Sequence, residues 1–173
     1  MTSPNDILRH LQSEWTHLLN QSVDRIQHCL NQLSTDQVWW QPGSDQNSIG
    51  VLVRHLSGNL NQWVVDGIPQ QQNSRDRKAE FDSTTHTSPE QLIRKLCQVV
   101  AKAIQTLKNL QHGDLTQQRE IQGFEVTVLG TVMHSIPHFV GHTHQIVQLT
   151  RMQLGTSYQY HWDPDGPRNV VPL

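Results

Sequence analysis

Apolar side chains at Ile7, Leu8, Leu11, Trp15, Leu18, Leu19, Val23, Ile26, Leu30 and Leu33 recur at steps of three and four residues. A strand would alternate every two. This spacing keeps the apolar groups on one side of a helix of about 3.6 residues per turn, so it predicts a long helix whose stripe must be buried against partners. Ser3-Pro4 with Asp6 marks its start, serine capping and proline at a first-turn position where its missing N–H costs nothing. Three more segments carry the helical pattern. One is capped by Asn47 or Ser48 and ends near Gly67. The next opens at the capping-box sequence Ser88-Pro89-Glu90-Gln91, carries Leu92, Leu96, Val99, Val100, Ala103, Ile104, Leu107 and Leu110, and stops at His112-Gly113. The last runs from near Thr127 to Leu154, apolar around most of its circumference as suits the most buried helix, with Pro137 a place for a local kink.

Four such helices in 173 residues predict an all-α chain, a four-helix bundle forming one domain over residues 1–173. Between the first two helices, Ser34 to Ser48 reads as a loop whose Trp39 and Trp40 cover the bundle end. Ile68 to Thr87 is polar, with Gln70-Gln71-Gln72-Asn73-Ser74 followed by Arg75-Asp76-Arg77-Lys78, and cannot build its own core. Extended, such a strap reaches about 66 Å, twice the length of a 20-residue helix. It can therefore return along the bundle and make the second and third helices parallel, which predicts one long crossover connection. A polar connection reaches about Glu125, and residues 156–173, with Tyr158, Tyr160, Trp162, Pro164 and Pro167, read as an irregular tail over the surface.

Charge and hydropathy narrow the function. Thirteen Lys and Arg against 15 Asp and Glu give a net charge of -2, which offers no field for a phosphate backbone, so no nucleic-acid partner is expected. No uncharged apolar run approaches the ~18–20 residues that cross a bilayer, so no membrane span is expected. The N-terminal residues lack a basic region followed by an apolar one, so the expected location is cytoplasmic. Cys29 and Cys97 stand alone on helical segments, far from any CxxC spacing, and read as small buried hydrophobes.

Histidine is over-represented, with 11 copies, and His134, His138, His142 and His144 fall within eleven residues. Residues four apart on a helix differ by about 40°, so His134, His138 and His142 form one line that Gln145 and Leu149 continue, while His144 is turned about 200° from His142. An HxxxH pair lets one divalent ion touch two imidazoles at ~2.0–2.2 Å. Spacing alone leaves both pairs open, His134 with His138 or His138 with His142. On the second helix the inward stripe from Leu52 runs through His55, Leu56, Asn59, Leu60 and Trp63. His55 is thus the natural third ligand, His17 and His28 lying near the margins of the first helix's stripe. Three imidazoles leave a position open for water or substrate, the arrangement of a catalytic site.

The segment Ile49-Gly50-Val51-Leu52-Val53-Arg54-His55-Leu56-Ser57-Gly58-Asn59-Leu60 with Trp63, and the segment His138-Phe139-Val140-Gly141-His142-Thr143-His144-Gln145-Ile146, resemble the second-helix and fourth-helix motifs of the DinB/YfiT-like superfamily. The resemblance puts His55, His138 and His142 on the three metal-ligand positions and Gln145-Ile146 on the Gln-Ile that follows; His134 is left as a residue behind the ligands, in the substrate pocket, or in the core. His144 stands where the family usually has glycine. Arg75-Asp76-Arg77 with Glu80-Phe81, and Arg151-Met152-Gln153-Leu154-Gly155, also look like one branch of the superfamily. The resemblance implies a bundle with one crossover, a nickel or zinc ion on three histidines, and a homodimer. Characterised members include transferases that use low-molecular-weight thiols.

A divalent ion with an open position lowers the pKa of bound water towards ~7 or ligates a thiolate, so the expected activity is a metal-dependent enzyme, a thiol-dependent transferase or a hydrolase acting on a small molecule. Hydrolysis calls for a general base, and neither histidine helix places a carboxylate one turn from a ligand; Glu125, Asp66 and Asp82 are the loop candidates. Asn59 and Gln145 are candidates for hydrogen bonds at the rim, Arg54 for an anionic group, Trp63 for an apolar wall. The alternative is a noncatalytic metal- or ligand-binding dimer, to which four protein ligands and no facing cleft would point.

Overall fold

Short hydroxyl side chains begin the helices. In the computed structural model, which describes residues 3–82 and 85–161, α1 (Pro4–Leu30) opens behind Ser3. The Ser3 hydroxyl accepts from the Asp6 N–H, and the Asp6 carboxylate accepts from the Ser3 N–H. α2 (Thr35–Trp39) is a short helix inside the segment expected to be a loop. Ser34 and Gln37 cap it reciprocally, and Val38 and Trp39 are buried while Trp40 stays exposed, so one of the two tryptophans covers the core.

α3 (Ile49–Leu60) is capped by Ser48, whose side chain accepts from the Val51 N–H. It then loosens into a π-helical stretch, Asn61–Asp66, where the sequence reading continues one α-helix to Gly67. The strap also departs from its expectation. Asp76 caps a single turn, α4 (Arg77–Glu80), and Glu80 is buried, so the strap is anchored by its own folded turn. α5 (Pro89–Lys108) follows Ser88 as expected.

The all-α expectation holds in its larger part only: the protein is predominantly helical, but the connection after α5 contains an antiparallel hairpin, β1 (Gln118–Ile121) and β2 (Phe124–Thr127). Gln122 and Gly123 between the strands both have positive φ, 55° and 79°, the pattern of a type I′ turn, whose twist matches that of the paired strands. Thr127 ends the hairpin and caps α6 (Val128–Leu154) with a side-chain bond from the Gly130 N–H.

α1 packs on α5 and α6, and α3 packs on the same two helices. Leu19, Ile26 and Leu30 of α1, Leu52, Leu56 and Leu60 of α3, Leu96 and Leu107 of α5, and Phe139 and Ile146 of α6 are fully buried in one continuous cluster. Buried hydroxyls on α6 are satisfied within the helix: Ser135, Thr143 and Thr150 each donate to the carbonyl four residues back, so the core tolerates them. Cys29 is buried, Cys97 is half-buried, and both are free thiols. No helix is long and apolar enough to cross a membrane. Of the expected tail, Gly155–Ser157 forms a short 3₁₀ turn and Tyr158 packs against the core, whereas Trp162, Pro164 and Pro167 lie outside the described residues.

Candidate metal centre

The packing of α3 against α6 brings three imidazoles together. His55 enters from α3, and His138 and His142 from successive turns of α6; one ring nitrogen from each lies within 4.8 Å of the others. His55 Nε2 and His138 Nε2 are 3.0 Å apart, which matches the roughly 3 Å between two adjacent nitrogens bound to one ion at ~2.0–2.1 Å. The rings meet edge to face, with centroids 5.1 Å apart for His55 and His138, 5.4 Å for His55 and His142, and 4.5 Å for His138 and His142. They are thus arranged around a common point rather than stacked. Neutral imidazoles are good ligands for zinc, nickel and related divalent ions, so the donor set fits such a metal.

Protonation favours the same chemistry. Burial, reinforced by the neighbouring histidines and Arg75, lowers His138 to a pKa of about 4, which leaves its ring neutral and its lone pair available at neutral pH. Two further groups fix ring orientations. Gln145 Oε1 lies 2.9 Å from His142 Nδ1 and can accept its proton, which leaves Nε2 free to ligate. Glu80 Oε2 lies 3.3 Å from His55 Nδ1. Burial alone would raise the Glu80 carboxyl, but hydrogen bonds from Arg75 and His55 outweigh it and hold the group below its ordinary value, ionised.

Glu80 and Arg75 are site residues that motif spacing on the two histidine helices does not reveal. Arg75 grips Glu80 through two bonds of 2.6 Å, from Nε and Nη2, and also donates to Gln62 Oε1 at 2.9 Å. Phe81, next along the strap, tilts against His55 at 5.4 Å. The available signal lay in the strap itself, where an aspartate precedes Arg77-Lys78-Ala79-Glu80 as a helix cap; a capped turn there brings Glu80 under Arg75.

The remaining candidates are distributed around this centre. His134 stands outside the cluster: its ring lies parallel to that of His138 at 5.9 Å and against Trp63 at 4.1 Å. Trp63 is buried, and its Nε1 has no hydrogen-bond partner among the described residues. Asn59 is buried one turn beyond His55. Arg54 holds the strap, donating to the carbonyls of Asp82 and Thr85 and to the Thr87 hydroxyl and lying over Trp39 at 4.3 Å. Those bonds occupy the guanidinium that was expected to meet an anionic substrate. Of the loop carboxylates, Asp66 accepts from Asn61 and Asn73, Glu125 sits in the hairpin opposite Glu120, and Asp82, next to Phe81 on the strap, accepts from the Thr85 hydroxyl. His144 is exposed beside Arg25, Tyr158 and His161, away from His142, and His28 bonds the Gln159 carbonyl.

Solved structures share this fold, two DinB-like proteins among them. A conserved protein from Enterococcus faecalis superposes with a TM-score of 0.73 at 16% identity, covering 83% of this chain and 97% of that one. A DinB-like protein from Bacillus subtilis gives 0.64 at 16% identity, over 87% and 99% of the two chains. A DinB-like protein from Bacillus cereus gives 0.60 at 15%, over 76% and 85%. The chain itself belongs to the DUF1572 family, described as a protein of unknown function, whose profile matches residues 5–162. No curated protein matches the sequence.

Proposed function

We propose that this protein is a divalent-metal enzyme whose ion, nickel or zinc, is held by His55, His138 and His142 in a four-helix bundle with one crossover. The observation that carries the reading is the convergence of three ring nitrogens from two helices. Three protein ligands leave coordination positions for other molecules, and an ion so held supplies Lewis acidity and thiolate activation.

Of the two reactions considered, thiol-dependent transfer to a small electrophile is favoured over hydrolysis. Among the described residues, the carboxylate seen bonded to a ligand histidine, Glu80, lies behind His55 at Nδ1 with both oxygens bonded to Arg75. It is placed to orient a ligand, not to take a proton from water. The partners that accompany this reading are a low-molecular-weight thiol and a second copy of the chain.

Protein prepared without an affinity tag should contain close to one equivalent of divalent metal, and His55→Ala should lose it, since His138 and His142 alone form a weak partial site. Turnover across a panel of cellular thiols with an electrophilic acceptor should vanish in His138→Ala. Sub-stoichiometric metal in the wild type would overturn the metal assignment; bound metal with no turnover would favour the noncatalytic binding role.

A further inference from the structure

Two groups compete for one nitrogen of His55. Glu80 Oε2, an acceptor, lies 3.3 Å from Nδ1, and Arg75 Nη2, a donor, lies 3.2 Å from the same atom. A neutral imidazole carries one proton. If Nδ1 holds it, Nδ1–H donates to Glu80 and the Nε2 lone pair faces His138. If Nδ1 accepts from Arg75, the proton sits on Nε2 and that nitrogen cannot bind a metal.

The carboxylate decides between them. Arg75 is drawn onto Glu80 by two bonds of 2.6 Å, and the carboxylate repels a lone pair on Nδ1, so the Nδ1–H form is favoured. The fold makes room for this contact: a Cβ on Gly58, one turn along α3, would fall 1.7 Å from Glu80 Oε1 and 3.0 Å from Arg75 Nε. Only a bare backbone there lets the strap bring both side chains against the helix that carries His55.

We propose that Glu80, delivered by the strap and held by Arg75, is a positioning residue that sets the ligating tautomer of His55, and that Arg75 left alone would impose the opposite tautomer. This rests on the metal reading above, but part of its test does not.

Nitrogen–proton correlation spectra of the metal-free protein report which ring nitrogen of His55 is protonated, and competition with a chromogenic chelator reports Zn²⁺ affinity. Wild type should show Nδ1–H. Glu80→Ala should move the proton to Nε2 and weaken Zn²⁺ binding roughly ten- to a hundredfold, as loss of a partner behind a ligating histidine does. Arg75→Met combined with Glu80→Ala removes the competing donor and should recover part of that loss. Because Glu80→Ala strands a buried guanidinium, the double variant carries the test if the single one fails to fold: affinity below wild type supports the proposal, and affinity equal to wild type overturns it. An unchanged Nδ1–H signal in Glu80→Ala, or equal Zn²⁺ affinity in all three proteins, also overturns it. Wild type that binds no Zn²⁺ would defeat the metal assignment, while the spectra would still decide the role of Glu80.

Discussion

His138 titrates far below an ordinary imidazole because burial and the neighbouring histidines oppose its charged form. The consequence for stability has a definite sign. As pH falls from 6.5, the unfolded chain gains a proton at this position while the folded protein does not until about 4. The stability present above pH 6.5 is therefore lost progressively down to about pH 4. Urea midpoints of the metal-free protein should fall over that window, and His138→Gln should flatten the dependence; equal slopes in the two proteins would refute the assignment. The three ligands themselves were legible as residues. The helical line left two pairs possible, the family motif favoured His138 with His142, and in the structure those two meet His55 while His134 lies against Trp63. Glu80 was not legible as a site residue, because its place depends on Arg75 and Gly58, neither of which is one helical turn from it in sequence.

The strap is the element whose structure departs furthest from its composition. Sixteen polar residues among twenty suggested an open connection, yet a capped turn, a buried ion pair and the Arg54 bonds hold it on α3. Gly58→Ala tests that docking. The added methyl collides with Glu80, so the variant should lose about 1–3 kcal/mol in urea unfolding, the usual range for overpacking, and weaken metal binding with it. Wild-type stability and affinity would show that the strap does not depend on this close approach. Elements set by local chemistry were readable: the caps Ser3, Ser48, Ser88 and Thr127 all open helices where expected. Elements set by less local cues were not. The hairpin turns on Gln122-Gly123, which lacks the Asn or Asp that marks a type I′ turn in sequence, and apolar periodicity does not separate a π-helical stretch from the end of an α-helix.

For the molecule as a whole, an ion bound only by the folded state stabilises it by mass action, about 2.7 kcal/mol when free metal is a hundredfold above the dissociation constant. The ligands that would receive it are remote in sequence: His55 and His138 are separated by 83 residues. No local segment of the chain can gather them, so the coordination sphere closes only after α3 has met α6. Metal should therefore arrive late on the folding route. In stopped-flow experiments, added Zn²⁺ should slow the unfolding arm of the chevron and leave the refolding arm nearly unchanged, whereas acceleration of refolding would place the histidines together before the barrier. Such an ion would act as a kinetic clasp, lengthening the life of the native state without hastening its birth.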